Sequence, residues 1–164
     1  MRYLNYDLRP MTDKDIPMVL DIENKCFKHP WAEKDFMYEM HGNKFANTWV
    51  LELSNDSLGL RYVCGFVDWW ITFDTGTICQ IAVHPELQRE GLGSMMMKEV
   101  LKEAQVKKVT SLTLEVRKSN EKAISFYKKF GFEVSHTKEG YYVDGEDALY
   151  MIWEEDKNDE NISH

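Results

Sequence analysis

Apolar positions repeat every three to four residues in four stretches and every second residue in others, so the chain predicts a mixture of helices and strands. Residues 2–9 predict an edge strand. Thr12 and Asp15 then form a capping-box start for a helix carrying Ile16, Val19, Leu20 and Ile22, with Pro17 tolerated only in its first turn. After His29-Pro30, a short helix with Phe36, Met37 and Met40 runs to Gly42. The period then changes to two. Segments 47–53, 61–72 and 76–83 are rich in β-branched and aromatic residues and separated by Asn, Asp and Gly, as in an antiparallel meander; 54–61 between the first two predicts a long hairpin loop.

From Gly91 the pattern is helical again, with Met97, Val100, Leu101 and Ala104 on one face. The strand TSLTLEVR places Leu112, Leu114 and Val116 on one side and Thr113 and Glu115 on the other. Ala123, Phe126, Tyr127 and Phe130 mark a last helix ended by Gly131, where a left-handed cap is needed. FEVSH and DALYMIWE predict two closing strands with Asp144-Gly145 as the turn between them. The order βααβββαβαβ with a C-terminal strand gives an α/β fold built on a mixed sheet. We expect one domain over 1–153 and a disordered acidic tail over 154–164.

Charge sharpens this picture. Lys and Arg number 20 against 28 Asp and Glu, a net charge of −8, and the tail alone holds five acids and one lysine. No broad basic face is expected, which argues against direct nucleic-acid binding. No apolar run approaches the ~20 residues of a membrane span, and the start MRYLNYDLRP lacks a secretory h-region, so a cytoplasmic protein is expected. Cys26, Cys64 and Cys79 are widely spaced and predict buried, reduced thiols; the five histidines have no ligand-like spacing, and no metal is predicted. His84 reads as turn punctuation before Pro85.

The chemistry concentrates at IAVHPELQREGLGSMMMKEV, a strand, a turn, a glycine-containing loop and a helix. Glycines let successive N–H groups converge, the helix start adds its positive dipole end, and Arg89 can add a charge, so this junction suits an anion such as pyrophosphate. It lacks the third glycine of a dinucleotide fingerprint and the GK[ST] of a nucleotide-triphosphate loop. Downstream, Glu115 is a candidate general base or a solvated strand carboxylate, and Tyr127 a candidate acid or a core aromatic.

Gln88-x-x-Gly91-x-Gly93 after I-A-V-H-P resembles the coenzyme A pyrophosphate loop of the GCN5-related N-acetyltransferase (GNAT) superfamily. Leu114-Glu115-Val116-Arg117, Ser119-Asn120, Ala123-Ile124 and Phe126-Tyr127-x-x-Phe-Gly-Phe are similar to the second half of its signature. Cys26-Phe27-x-x-Pro30-Trp31 and Tyr141-Tyr142-x-x-Gly145-Glu146-Asp147-Ala148 resemble the RimI branch, the bacterial ribosomal-protein-alanine N-acetyltransferases.

The resemblance covers about residues 2–153 and implies acetyl transfer from acetyl-CoA, as cosubstrate, to the N-terminal α-amine of a protein such as a small-subunit ribosomal protein. Transfer would be direct, in a ternary complex, with Glu115 accepting a proton and Tyr127 donating one. Ile81, Ala82 and Val83 would meet the pantetheine and acetyl carbonyl, Arg89, Glu90, Gly91, Leu92, Gly93 and Ser94 the pyrophosphate, and Asn120 the cofactor through its side chain. Trp31, Tyr141 and Tyr142 would border the acceptor groove. Three features depart from the family pattern: Glu90 brings a carboxylate to the loop and is expected to point outward, Gln80 stands where many relatives carry Asn, and 54–61 reads as a longer hairpin loop. A monomer or weak dimer is expected.

Other readings are a relative acting on lysine, a polyamine or another small amine, a ping-pong enzyme using Cys79 with His84, and a non-catalytic acyl-CoA-binding module.

Overall fold

Alternation of inward and outward side chains is kept in β5 (Ser111–Arg117) but lost in β3 (Leu60–Thr72), where every residue from Val63 to Trp69 is buried. A strand buried on both faces is central to its sheet. The computed structural model describes residues 4–155, and its seven strands form one mixed sheet in the order β1-β2-β3-β4-β5-β7-β6. The remaining strands are β1 (Asn5–Pro10), β2 (Ala46–Asn55), β4 (Thr75–Val83), β6 (Glu133–Lys138) and β7 (Ala148–Glu154). The helices are α1 (Ile16–Cys26), α2 (Glu33–His41), α3 (Leu92–Val106) and α4 (Glu121–Lys129).

The described chain divides into two compact units, one of residues 4–70 and 80–101, the other of 71–79 and 102–155. In the first unit β1, β2 and β3 pair antiparallel, with Leu8 opposite Leu51 and Val50 opposite Phe66. Helices α1 and α2 bury Val19, Ile22 and Phe36 in the same cluster as Val50 and Phe66. Phe36 meets Phe66 edge to face at 5.5 Å and Trp31 at 5.3 Å, favourable aromatic geometry. Thr12 N–H donates to Asp15 Oδ2 at 2.8 Å, and Arg9 grips the same carboxylate with two hydrogen bonds of 2.8 and 2.9 Å. Asp15 thereby fastens the helix start to β1.

In the second unit β4 and β5 run parallel, but their ladder covers only Thr75–Thr77 and Ser111–Thr113. β7 pairs antiparallel with the whole of β5 on one side and with β6 on the other. Helix α4 closes at Gly131, whose φ of 98° lets the Gly131 and Phe132 amides donate back to the Lys128 and Tyr127 carbonyls.

Several boundaries differ from the sequence reading. The 54–61 stretch is half strand, because Asn55 pairs with Leu60 and only residues 56–59 connect β2 to β3. Asp144-Gly145 belongs, as expected, to a turn closed by Gly145 N–H on Tyr142 O (2.8 Å), and this turn sits inside a connection over residues 139–147. Strand β7 extends through Glu154, one residue into the expected tail; residues 156–164, like 1–3, lie outside the described residues. Of the cysteines only Cys64 is buried; Cys26 and Cys79 are half-buried, and none of the three is in a disulfide.

Candidate active site

The anion loop is assembled within the first unit. After β4, His84 Nδ1 accepts the Glu86 N–H at 3.2 Å, capping a single turn of tighter helix over Pro85–Leu87. Gln88 Nε2 donates to Val83 O at 3.1 Å. Arg89 (φ 70°) and Gly91 (φ 80°) then occupy left-handed backbone, and α3 begins at Leu92. Its first i→i−4 bond runs from Met95 N–H to Gly91 O at 3.0 Å, so the amides of Leu92, Gly93 and Ser94 lie ahead of that ladder. Of the two glycines only Gly91 uses positive φ; Gly93 lies in the first helical turn. Leu92 packs with Met96, Leu51 and Cys64 and holds the turn from below. Arg89 and Glu90 are exposed, and the Glu90 charge is felt at Tyr6, whose phenol is pushed up by burial first and by Glu90 second.

Beside this loop, Ala82 is buried and Ile81 and Val83 are half-buried. Gly65 makes the β3 backbone narrow enough for them, since a Cβ there would stand 2.9 Å from Ala82 O and 3.0 Å from the Met96 methyl. Trp31 is fixed by a residue that sequence reasoning missed. Glu23 is fully buried, and its Oε1 accepts both the Trp31 N–H (2.9 Å) and Gln80 Nε2 (2.8 Å). Burial pushes the Glu23 carboxyl up, and these two hydrogen bonds offset part of that rise.

The acid and base candidates lie in the second unit. On β5, Leu112, Leu114 and Val116 are buried while Glu115 stands half-buried on the opposite side. Its Oε1 is 2.6 Å from Lys138 Nζ, and the Glu115 carboxylate first and burial second push the Tyr141 phenol up to about 12. Tyr141 itself is half exposed and meets Tyr142 edge to face at 5.1 Å. Tyr142 lies 4.0 Å beneath the Arg117 guanidinium, which Asp144 and Glu146 hold in turn (3.0 and 2.8 Å).

Tyr127 packs edge to face against Phe126 and Phe132, and its phenol is pushed well up, by burial first and by Tyr142 second. Asn120 Oδ1 accepts the Ala123 N–H at 3.1 Å, capping α4. The structure thus couples Tyr141 to Glu115 and Tyr142 to Tyr127, and adds Lys138, which no motif had singled out.

The acetyltransferase (GNAT) family model matches residues 16–132. The chain belongs to this family. It is an acetyl-CoA-dependent N-acetyltransferase with the family's mixed α/β fold. A Bacillus subtilis (strain 168) relative, provisionally named a ribosomal protein bS18-alanine N-acetyltransferase, is 34% identical over 88% of this chain and 92% of its own. The bS18-alanine N-acetyltransferase of Salmonella typhimurium is 33% identical over 86% of this chain and 92% of its own. Among solved structures, the ribosomal-protein-S18-alanine N-acetyltransferase of Escherichia coli superposes with a TM-score of 0.78 at 29% identity, covering 92% of this chain and 94% of that one.

The loop suits the anionic end of acetyl-CoA. It offers first-turn amides, a 15-residue helix behind them and an exposed arginine, the donor set a pyrophosphate requires.

Proposed function

We propose that this acetyltransferase acetylates the N-terminal α-amine of a protein, with a ribosomal protein beginning in alanine as first candidate. The observation carrying the catalytic part is Glu115, a half-buried carboxylate on the face of β5 opposite its apolar residues and already holding an alkylammonium at 2.6 Å. A base must reach the proton it removes, and this one does. The acceptor class is supported by relatives named for bS18-alanine acetylation. Chemistry points the same way: an α-amine with a reference pKa near 8 is about one-tenth neutral at pH 7, against about one lysine in a few thousand.

In this reading Glu115 takes the acceptor's proton, the neutral nitrogen attacks the thioester carbonyl, and the C–S bond breaks as the amide forms. Tyr127 supplies the proton that ends on the CoA sulfur. Its raised pKa keeps the phenol protonated at neutral pH. The amides of Leu92 to Ser94 and Arg89 hold the pyrophosphate, Ile81 to Val83 the pantetheine, and Trp31, Tyr141 and Tyr142 border the acceptor.

The test follows CoA-thiol release with three acceptors: an alanine-starting peptide, the same peptide N-terminally blocked with an internal lysine free, and spermidine. Release with the free N-terminus alone, reduced about 10²- to 10⁴-fold by Glu115→Gln, is expected. Turnover of the blocked peptide or spermidine at comparable rate assigns the enzyme to side-chain or small-amine acetylation instead.

A further inference from the structure

The register of the second unit builds an ammonium site. Tyr150 pairs with Glu115 across one ladder and with His136 across the other, so these three side chains form a row on one face of the sheet. Lys138, two residues along β6 from His136, shares that face and reaches back over the row. Its Nζ lies 2.6 Å from Glu115 Oε1, 4.8 Å from the Tyr150 ring centre and 5.4 Å from that of Tyr141. A carboxylate and two aromatic faces are what an alkylammonium binds best. With Lys138 35% and Glu115 25% exposed, the pair is partly withdrawn from water. The site where an acceptor amine would be deprotonated is held by an amine of the chain's own.

We propose that Lys138 Nζ is itself an acetyl acceptor: with acetyl-CoA and no acceptor N-terminus, the enzyme acetylates its own Lys138. The inference rests on the reading of Glu115 as the general base. If an amine must hydrogen-bond Glu115 to be acetylated, Lys138 meets that requirement at a distance general-base catalysis demands, about 2.6–3.2 Å. The Lys138 ammonium gives one proton to Glu115, which passes it to solvent. The neutral nitrogen forms the C–N bond, the thioester C–S bond breaks, and the second nitrogen proton ends on the CoA sulfur. The product is a neutral acetyl-lysine and free CoA. A lysine is far more rarely neutral than an α-amine, so the reaction is slow, but an amine already in place needs no encounter. One acetyl group per chain is therefore expected, formed slowly, not repeated turnover.

The experiment incubates the full chain with isotopically labelled acetyl-CoA, without peptide, and follows intact mass and then the labelled residue after proteolysis. A single acetyl group on Lys138 is expected, at a fractional rate independent of protein concentration and suppressed by a saturating alanine-starting peptide. Glu115→Gln is expected to slow labelling about 10²-fold or more. Lys138→Arg keeps a cation against Glu115 and removes the acceptor, so it is expected to leave position 138 unlabelled in a folded chain. If the wild-type chain turns over the peptide but Lys138 stays unlabelled, the proposal is overturned and the N-terminal reading stands. If neither is acetylated, the reading of Glu115 fails and takes this proposal with it. Labelling that is equally fast in Glu115→Gln or in heat-denatured chain is uncatalysed chemistry and overturns it too.

Discussion

Tyr127 is where the roles of core aromatic and proton donor can be separated, because its ring and its hydroxyl do different things. The ring packs edge to face on Phe126 at 5.4 Å and on Phe132 at 5.8 Å, contacts that a phenylalanine reproduces. The hydroxyl is what the burial and Tyr142 act on. Tyr127→Phe should therefore leave thermal stability nearly unchanged while kcat falls about 10²-fold or more, the range lost with a general acid. Melting temperature and kcat measured on one preparation check this, and unchanged kcat with unchanged stability makes Tyr127 a packing residue. Glu23 presents the converse case. Glu23→Ala strands the Trp31 N–H and the Gln80 amide, each worth about 1–3 kcal/mol when left unpaired in the interior, so urea denaturation should show a loss of about 2–4 kcal/mol.

Among the elements, the turn into α3 has the most unusual backbone. Nothing lies within 4 Å of where a Cβ at Gly91 would stand, so its φ of 80° is the whole reason for glycine there. Gly91→Ala is expected to cost about 1–2 kcal/mol, a few degrees in melting temperature, and to raise the KM for acetyl-CoA more than it lowers kcat. Equal losses in both constants would show the loop acting beyond cofactor binding. This turn was legible in the sequence because glycines, helix periodicity and a known motif lay within one twenty-residue window. Glu115 and Tyr127 became preferred candidates only through the resemblance of residues 114–132 to a known motif, since each residue alone reads as well as a solvated carboxylate or a core aromatic. Lys138 and Glu23 were not legible, because Glu115 lies 23 residues from Lys138 and Gln80 57 from Glu23, and only strand pairing or helix packing brings them together. The residue-139–147 connection was legible at its Asp144-Gly145 turn, but not in the hold of Arg117 on Asp144 and Glu146, which lie 27 and 29 residues away from it in sequence.

For the molecule as a whole, pH acts on stability from two sides, and both sets of groups lie in the first unit. Burial raises Asp15, but the Arg9 hydrogen bonds and the Thr12 amide more than offset it, leaving its carboxyl below the usual range. Arg9 and Arg61 likewise hold Glu52 low against its burial. Both contribute stability above their unfolded value near 4 and lose it as pH falls through their folded values. Asp68 works in the opposite sense. It is fully buried in β3, its carboxylate oxygens accept no hydrogen bond among the described residues, and a Glu39 oxygen lies within 4.8 Å. Trp70 Nε1 and Asn43 Nδ2 fix Glu39 at 2.9 and 2.6 Å. Burial first, then Glu39, pushes Asp68 up to about 9, so at neutral pH it is the uncharged acid. Its folded value exceeds its unfolded one near 4, so between those values the native state keeps a proton that the unfolded chain has released. Stability must fall as pH rises through that window. Urea midpoints taken at about pH 6, 7.5 and 9 should decline, and Asp68→Asn, uncharged throughout and nearly the same size, should flatten the decline. Lysine, tyrosine and cysteine titrations are common to both chains, so the difference between the two curves isolates Asp68; parallel curves would show that it is ionised in the folded protein.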